Sequence, residues 1–228
     1  MGASPSHGTG RTVAIDEGGL RLDGELALPP RAQGIVLFAH GSGSSRHSPR
    51  NQHVAQALRA AGVGTLLFDL LTADEDRVYA TRFDIPLLTA RLAAATAWVE
   101  REPDAAELPI GYFGASTGAA AALAAAAQRG PRIAAVVSRG GRPDLAGAQA
   151  LSLVTAPTLL IVGGWDEDVL ELNRAAYAHL RCVRELKVVP GATHLFEEPG
   201  ALDAVALAAA EWFARHLPAA GRPPVPAG

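Results

Sequence analysis

Three polar residues of the chain have the types, and the order along the sequence, that nucleophilic acyl transfer needs. Ser116 comes first, Asp166 second and His194 third. A serine hydroxyl is a weak nucleophile until a neighbouring base takes its proton, and histidine is the usual base. An acid that hydrogen-bonds the imidazole holds it in the correct tautomer and stabilises the imidazolium that forms. We therefore predict Ser116 as the nucleophile, His194 as the general base and acid, and Asp166 as the residue that orients the histidine.

The sequence around Ser116 is typical of a nucleophile elbow. The pentapeptide Gly114-Ala115-Ser116-Thr117-Gly118 stands where an apolar strand, residues 109–113, gives way to an alanine-rich helix. In such an elbow the serine occupies a sharp strand-to-helix turn, and the flanking glycines lack the side chains that would collide where the backbone and the helix cross. Ser116 could instead act only as the N-cap of the helix, but a cap requires no glycine two residues to either side.

Asp166 and His194 each follow a predicted strand. Asp166 ends a Gly-Gly-Trp-Asp turn after the strand 158–162, and His194 ends a Pro-Gly-Ala-Thr-His turn after the strand 186–189. Ligands of a parallel α/β sheet bind at the carboxyl ends of its strands. We therefore expect both side chains at the same edge of the sheet as Ser116.

The acid of the predicted triad has close neighbours of the same chemical type. Glu167 and Asp168 follow Asp166 directly. Asp168 could instead cap the helix that we expect to begin at residue 169. We choose Asp166 because it comes first after the strand.

A tetrahedral oxyanion also needs hydrogen-bond donors that are aimed at it beforehand. The backbone N–H of Thr117, just after the nucleophile, is the first expected donor. The second should come from the loop after the predicted strand 34–39, where we favour Ser42 and then Gly43. His40 in the same loop is expected to brace it by hydrogen bonding rather than to transfer protons.

The elements that must position these residues alternate between strands and helices. Such alternation predicts a mostly parallel sheet that is covered by helices on both faces. The expected strands are 12–15 and 20–28, as an antiparallel pair, then 34–39, 64–68, 110–113, 133–137, 158–162 and 186–189. The expected helices are 49–61, one beginning near Asp84 with Pro86 in its first turn, 117–128, 169–180 and 203–217.

Length and composition fit one α/β domain. The chain has 228 residues, of which 49% are hydrophobic and 19% charged, so it can bury a large core. We place this domain at residues 11–217. Disordered segments are expected at residues 1–10 and in the Pro/Gly-rich tail, residues 218–228.

Charge and motifs exclude several classes of function. A formal net charge of −3 gives no footprint for nucleic acid, and no apolar run approaches the roughly 18 residues that a membrane span needs. The start has no apolar secretory region, and the single Cys182 excludes an intrachain disulfide, so we expect a cytoplasmic protein. There is no HExxH or EF-hand motif, and the acidic residues 74–76 are interpreted as a solvated loop. We therefore expect no metal and no other cofactor.

Four segments together resemble the α/β-hydrolase family, in its dienelactone hydrolase-like group, over about residues 30–217. They are Phe38-Ala39-His40-Gly41-Ser42-Gly43, the Ser116 elbow, Gly164-Trp165-Asp166 and Gly191-Ala192-Thr193-His194. The serine, acid, histidine order is the one associated with this fold. The resemblance implies an α/β-hydrolase fold with a mostly parallel twisted sheet. It also implies a serine esterase that acts on small-molecule esters, lactones or thioesters.

Two further segments are similar to a bacterial branch of that group whose hydrolase domain is in some chains fused to a phosphoribosyltransferase. They are Phe68-Asp69-Leu70-Leu71 and Ser138-Arg139-Gly140-Gly141-Arg142-Pro143-Asp144. We expect no such second domain in this sequence. The founding dienelactone hydrolases have a cysteine nucleophile where this chain has Ser116, so the resemblance predicts the fold better than the substrate.

Four arginines near the strand ends suggest that the substrate carries a negative charge. Guanidinium groups bind carboxylates through two hydrogen bonds, which would favour an anionic ester or lactone. The alternative is that these arginines pair with Asp69, Asp144 or other acids as part of the scaffold. The segments after residues 68 and 137 are too short for a helical cap domain, so we expect a shallow cleft for small acyl groups. The predicted substrate-binding residues are Arg46, Arg50, Arg139, Arg142 and Trp165.

Two functions from other classes stay open at this stage. The first is a catalytically silent hydrolase fold that acts as a binding module. The second is a Rossmann-type nucleotide-binding protein, because Gly41-Ser42-Gly43 follows a strand and Asp69 ends the next one. Arg46 stands where the dinucleotide motif requires its third glycine, and this reading leaves the placement of Ser116 unexplained. Whether the protein is a monomer or a homodimer is not decided by the sequence.

Overall fold

The computed structural model describes residues 10–17 and 19–217. The disordered segments that we expect at the two ends, residues 1–10 and 218–228, lie outside these residues except for Gly10. Within the described part, the elements follow the predicted alternation of strands and helices.

One sheet of eight strands organises the domain. The strands are β1 (Arg11–Glu17), β2 (Leu20–Ala27), β3 (Ile35–Ala39), β4 (Gly64–Phe68), β5 (Ile110–Ala115), β6 (Ile133–Arg139), β7 (Thr158–Gly163) and β8 (Arg184–Val189). Their order across the sheet is β1-β2-β4-β3-β5-β6-β7-β8. The pairs β1·β2 and β2·β4 are antiparallel, and the pairs from β4 to β8 are parallel. The predicted antiparallel start and parallel remainder are therefore both confirmed.

Helices cover both faces of this sheet. They are α1 (Pro49–Ala60), α2 (Ala73–Asp76), α3 (Ile85–Val99), α4 (Thr117–Arg129), α5 (Ala148–Leu153), α6 (Glu167–His179) and α7 (Ala201–His216), with 3-10 turns at Tyr79–Phe83, Gly130–Arg132 and Pro143–Ala146. Buried side chains of α3, α4, α5 and α6 form one core with the sheet, and those of α1 and α7 form the other. Adjacent residues of a strand serve opposite cores, as Leu37 and Phe38 do in β3.

The long helix α3 begins where Asp84 and Pro86 predicted its first turn. The side chain of Asp84 accepts the backbone N–H of Leu87 at 3.0 Å, and Pro86 stands in the first turn, where no intrahelical donor is lost. Leu88 and Leu92, four residues apart on one face of α3, are buried in the core that the helix forms with the sheet. This helix packs in the core and carries no residue of the predicted site.

The acidic residues 74–76 do not form the solvated loop that we expected from their charge. They form the short helix α2, which Thr72 and Glu75 close with a capping box. Glu75 also pairs with Arg91 at 2.6 Å. The sequence did contain a signal, because threonine followed three residues later by glutamate is the pattern of a capping box.

No large cap domain covers the carboxyl edge of the sheet in the described part of the chain. Only α2 and the turn Tyr79–Phe83 lie between β4 and α3, and only the turn Pro143–Ala146 and α5 lie between β6 and β7. Among the helices of residues 10–17 and 19–217, none is both long and apolar enough to cross a membrane.

Candidate active site

Ser116 lies on a sharp turn between β5 and α4, with φ 50° and ψ −121°. A positive φ is unusual for a residue with a side chain, and such strain is concentrated at functional sites. A Cβ on Gly114 would lie 2.7 Å from the carbonyl oxygen of Gly118, and one on Gly118 would lie 2.5 Å from that of His40. Both glycines are therefore required by close backbone packing, as the elbow predicts. Ser116 holds the N-cap position of α4 but makes no capping hydrogen bond with its side chain.

Asp166 and His194 lie together at the ends of the neighbouring strands β7 and β8. The distance between His194 Nδ1 and Asp166 Oδ2 is 2.6 Å. A carboxylate only accepts hydrogen bonds, so Nδ1 of the imidazole carries the proton and, in the neutral ring, Nε2 keeps a lone pair. Asp166 is partly buried, whereas Glu167 and Asp168 are exposed. The helix α6 begins at Glu167 rather than at residue 169, so Asp168 lies inside its first turn and does not cap it.

The turn after β6 connects Ser116 with the loop that carries His194. The backbone N–H of Ser116 donates to the carbonyl oxygen of Arg139 at 3.2 Å. At the next residue, Gly140, a Cβ would lie 3.6 Å from His194 Cε1. Within residues 10–17 and 19–217, the hydroxyl of Ser116 has no hydrogen-bond partner. Catalytic hydrogen bonds are often long in a free enzyme and tighten only when substrate binds.

The predicted oxyanion donors come from two loops that contact each other. The backbone N–H of Ser42 donates to Oγ1 of Thr117 at 3.0 Å. The backbone N–H of Thr117 opens helix α4 and therefore has no intrahelical acceptor. Gly43 has a φ of 67° and lies in a turn that is closed by a hydrogen bond from Ser44 N–H to Gly41 O. The geometry thus gives Thr117 a free N–H, while the N–H of Ser42 is already occupied.

His40 holds the loop after β3, the expected oxyanion loop, against the segment that follows β4, as expected. Its Nε2 accepts the backbone N–H of Leu70 at 2.9 Å, and its Nδ1 is 3.0 Å from the carbonyl oxygen of Gly41. One nitrogen therefore accepts and the other donates, which is the pattern of a neutral imidazole. Burial lowers the pKa of His40 below its usual value, which favours the same neutral form.

Three of the predicted substrate-binding arginines form ion pairs, and two of them, Arg46 and Arg142, pair with acids that the sequence suggested. Arg46 binds Asp69 through its backbone N–H at 2.8 Å and also through its guanidinium group. Arg142 donates two hydrogen bonds, of 2.9 and 2.7 Å, to the carboxylate of Asp144. This contact raises the pKa of Arg142. These are the scaffold pairings that the sequence left open as the alternative.

The other two arginines and the tryptophan have different surroundings. Arg139 is buried at the end of β6, and its guanidinium carbon lies 6.0 Å from the centre of the Phe196 ring. Arg50, in the first turn of α1, reaches Glu197 at 3.3 Å. Trp165 is exposed beside the turn that contains Gly191.

Two residues near the site were not predicted from the sequence. Arg82 lies over the oxyanion loop, where a Cβ on Gly43 would be 3.5 Å from its Nη1, and Asp76 holds it through a contact of 3.0 Å. Phe196 has a φ of 57° and packs its buried ring beneath the loop that carries His194. No local pattern marks either residue, because Arg82 approaches Gly43 and Phe196 approaches Arg139 and Gly140 only through the tertiary packing.

A cavity of about 530 Å³ borders the loop after β3. Its walls include His40, Ser44, Arg46, Asp69 and Asp76. Because Arg46 and Asp69 pair with each other there, neither side chain is free for a ligand.

The same contacts argue against a nucleotide-binding function. A dinucleotide motif places its glycines directly at the start of a helix, whose N-terminus then binds the pyrophosphate. Here the turn Gly41-Ser42-Gly43 is followed by further loop, and α1 begins only at Pro49. The carboxylate of Asp69, which would have to bind a ribose, is engaged by Arg46.

Comparison with known proteins agrees with this architecture. Residues 32–212 match the family model described as an alpha/beta hydrolase domain. The crystal structure of a dienelactone hydrolase from Anabaena variabilis superposes with a TM-score of 0.90 at 53% sequence identity, covering 92% of this chain and 99% of that one. The protein Est1E from Butyrivibrio proteoclasticus has a TM-score of 0.77 at 18% identity, over 90% of this chain and 98% of that one, and so is similar in fold alone.

A protein of Mycobacterium tuberculosis named putative phosphoribosyl transferase is 58% identical over 205 residues. The match covers 90% of this chain but 46% of that protein, so the chain spans about half the length of this relative. The name and the partial coverage agree with the fused bacterial branch that the sequence resembles. An uncharacterized protein of the same species is 31% identical over 223 residues, covering 85% of this chain and 75% of its own length.

Proposed function

This chain belongs to the alpha/beta hydrolase family, in its dienelactone hydrolase-like group, and we propose that it is a serine hydrolase that cleaves small esters. Lactones and thioesters are close chemical alternatives, because the same groups would act on them. The observation that carries the proposal is the 2.6 Å hydrogen bond between His194 and Asp166 at the sheet edge where Ser116 occupies its strained turn. Nε2 of this imidazole is the nitrogen left to act as a base.

In the proposed acylation step, Oγ of Ser116 attacks the carbonyl carbon of the ester while Nε2 of His194 takes the hydroxyl proton. The carbonyl π electrons move to oxygen, and a tetrahedral oxyanion forms. When this intermediate collapses, the bond to the leaving oxygen breaks and His194 returns the proton to that oxygen. An alcohol departs, and an acyl group remains on Ser116.

In the proposed deacylation step, water replaces the alcohol. His194 takes a proton from water as the water oxygen attacks the acyl carbon, and the second oxyanion collapses with return of that proton to Ser116. The products are a carboxylic acid and the original enzyme. Asp166 accepts the hydrogen bond from Nδ1 in each step and so stabilises the imidazolium that forms.

The oxyanion of both steps would be held by backbone donors from the two contacting loops. The N–H of Thr117 is available at the start of α4, and the N–H of Ser42 becomes available once the Thr117 hydroxyl turns away from it. Each such donor typically supports the transition state by about 3 to 4 kcal/mol. Gly43 is the neighbouring donor in the same turn.

We propose small substrates because, in the described part of the chain, no large cap domain covers the carboxyl edge of the sheet. Because no cap encloses a longer acyl chain in the described part, we expect binding energy to grow little with chain length. We propose that the substrate is a small molecule and that the cleft is open to solvent. The cytoplasmic location and the choice between monomer and homodimer stay predictions, which cell fractionation and light scattering would test.

Covalent labelling tests the proposed nucleophile most directly. A fluorophosphonate probe should label the wild-type protein and Ser152→Ala, a control serine on the surface of α5, but should not label Ser116→Ala. With p-nitrophenyl acetate the wild-type protein should give a burst of one nitrophenolate per chain. A folded wild-type protein that shows neither adduct nor turnover would favour the other candidate, a catalytically silent binding module.

A further inference from the structure

Asn173 is a fully buried amide in the interior of helix α6. The residue is 0% exposed. Its Nδ2 donates to the carbonyl oxygen of Val169 at 2.8 Å, one turn earlier, and to that of Gly141 at 3.0 Å, in another segment. Its Oδ1 is buried without a hydrogen-bond partner in the described part of the chain. A buried acceptor without a partner is unfavourable, so any favourable contribution of this amide comes from its two donated bonds.

The bond to Gly141 reaches the turn that holds the backbone of the predicted nucleophile. We call residues 139–142, at the end of β6, the β6 turn. The N–H of Ser116 donates to the carbonyl oxygen of Arg139 at 3.2 Å, and the carbonyl oxygen of Ser116 accepts the N–H of Arg142 at 3.0 Å. The β6 turn therefore fixes the backbone of Ser116 on both sides of its side chain.

Asn173 connects the β6 turn to the helix that carries the predicted acid. Helix α6 begins directly after Asp166, whose carbonyl oxygen accepts the N–H of Leu170 at 2.8 Å. Asp166 and Asn173 are thus two turns apart on one hydrogen-bonded helix, about 10 Å along its axis. The N–H of Gly140 donates to the carbonyl oxygen of Ile161 in β7 at 2.8 Å. Asn173 therefore adds a second connection between the β6 turn and the segment formed by β7 and α6.

The pair of Asp166 and His194 is held together by contacts of its own. The N–H of Trp165 donates to the carbonyl oxygen of Ala192 at 2.9 Å, which joins the two turns that carry the pair. The side chains themselves meet at 2.6 Å. What depends on the β6 turn is the placement of this pair relative to Ser116.

We propose that Asn173 is a positioning residue, whose bond to Gly141 sets the alignment of Oγ of Ser116 with Nε2 of His194. This inference rests on the proposed serine hydrolase function and adds to it a residue that does not touch the substrate. Reacting groups must be aligned closely, and a displacement of about 1 Å by a distant substitution can slow a reaction about 100-fold. Asn173 acts here through the backbone of the β6 turn.

A purely structural role for Asn173 predicts a different result. If the amide only contributes to the core, its loss should lower the free energy of unfolding but leave the folded protein as reactive as wild type. If it positions the β6 turn, the folded variant should react more slowly while the pair of Asp166 and His194 stays intact.

Two variants separate the bond to Gly141 from the other features of the side chain. Asn173→Ser keeps a hydroxyl that can bond the carbonyl oxygen of Val169, as serine does within helices, but it is too short to reach Gly141. Asn173→Leu keeps the volume and removes both donors together with the unpaired Oδ1. Loss of the bond to Gly141 is the change that the two variants share.

The matched control is Thr96→Val in helix α3. Thr96 is also 0% exposed, and its Oγ1 donates to the carbonyl oxygen of Leu92 at 2.8 Å, one turn earlier. The same Oγ1 lies 2.7 Å from the hydroxyl of Tyr112 in another segment. This control therefore loses one bond within a helix and one between segments, but far from the β6 turn.

The measured quantities are the rate constant for labelling by a fluorophosphonate and kcat/KM for p-nitrophenyl acetate, each per folded chain. Urea unfolding supplies the folded fraction. We expect both quantities to fall about 10- to 100-fold in Asn173→Ser and Asn173→Leu and to stay unchanged in Thr96→Val. Variants of Asn173 that are less stable but react as fast as wild type would overturn the proposal.

The proton on Nδ1 of His194 gives a second measurement, which a loss of folded protein would not imitate. A proton in a short hydrogen bond to a carboxylate appears far downfield in the NMR spectrum, so it reports the 2.6 Å contact with Asp166. We expect this resonance in the wild-type protein and in both Asn173 variants, because the pair keeps its own contacts. Its loss in the slow variants would overturn the proposal, since the pair itself would then have changed rather than its placement relative to Ser116.

The two proposals fail in different ways. A folded wild-type protein that neither reacts with the fluorophosphonate nor hydrolyses the ester overturns the serine hydrolase function, and this inference with it. A wild-type protein that is labelled on Ser116, with Asn173 variants that are labelled equally fast, overturns only the role of Asn173.

Discussion

The backbone N–H of Ser42 donates a 3.0 Å hydrogen bond to the side-chain hydroxyl of Thr117. This contact links the loop after β3 to the first residue of α4, so the two expected oxyanion donors lie on segments that touch. It also means that the hydroxyl occupies the N–H of Ser42 in the free protein. An oxyanion must displace it before both donors can act.

Replacement of Thr117 by alanine tests this occupancy. The N–H of Ser42 loses its acceptor, and we expect the free energy of unfolding to fall by about 1 to 2 kcal/mol. In the transition state no hydrogen bond has to be broken first, so kcat should be kept or rise by up to about fivefold. Urea unfolding and ester hydrolysis measure the two quantities. A fall in kcat of tenfold or more in a folded Thr117→Ala protein would show that the hydroxyl itself supports the reaction.

The carboxylate that orients His194 can be identified with a pair of matched variants. Asp166→Asn keeps the size of the side chain but disturbs the tautomer of the imidazole, so kcat/KM should fall by about 10³- to 10⁴-fold. Asp168→Asn is the control, since Asp168 is exposed in the first turn of α6. We expect it to have nearly full activity. The reverse result would transfer the role from Asp166 to Asp168.

Close packing at the elbow predicts a large effect of a single methyl group. A Cβ on Gly118 would lie 2.5 Å from the carbonyl oxygen of His40, and neither backbone segment can move far, because Gly118 is in the first turn of α4 and His40 directly follows β3. We expect Gly118→Ala to lower the free energy of unfolding by about 3 kcal/mol or more. Gly200→Ala is a control with open space around it, where only the left-handed backbone with a φ of 78° costs about 1 to 2 kcal/mol. Equal losses in the two variants, measured by urea unfolding, would contradict the packing argument.

The buried His40 predicts how stability depends on pH. The unfolded chain protonates this histidine near its usual pKa of 6.5, whereas burial lowers the pKa in the folded protein. Below about pH 6.5 the unfolded state therefore binds more protons, and the free energy of unfolding falls by at most about 1.4 kcal/mol per pH unit. Above pH 6.5 the contribution does not change with pH. Urea unfolding between pH 7.5 and 5 should give a shallower slope for His40→Gln than for wild type, and parallel slopes would exclude His40 as the cause.

The sequence alone determined the features that depend on neighbouring residues. Alternating apolar stretches and caps placed the strands and helices, because hydrophobic periodicity and capping act over a few residues. The glycines around Ser116 marked the elbow because their spacing is a local pattern, although Gly118 is required by its close approach to His40 of another segment. The order of Ser116, Asp166 and His194 along those elements then predicted that the three side chains lie at the carboxyl edge of the sheet.

Only the tertiary structure decided which charged groups meet. Asp166 rather than Asp168 reaches His194, and Arg46 and Arg142 are neutralised while Arg139 is not. Most of these outcomes depend on contacts between residues that are far apart in the chain, such as His194 with Asp166 and Arg46 with Asp69. The local sequence determines which strand, helix or turn carries a residue. The packing of the surrounding elements then sets the burial of its side chain and the partner that it contacts.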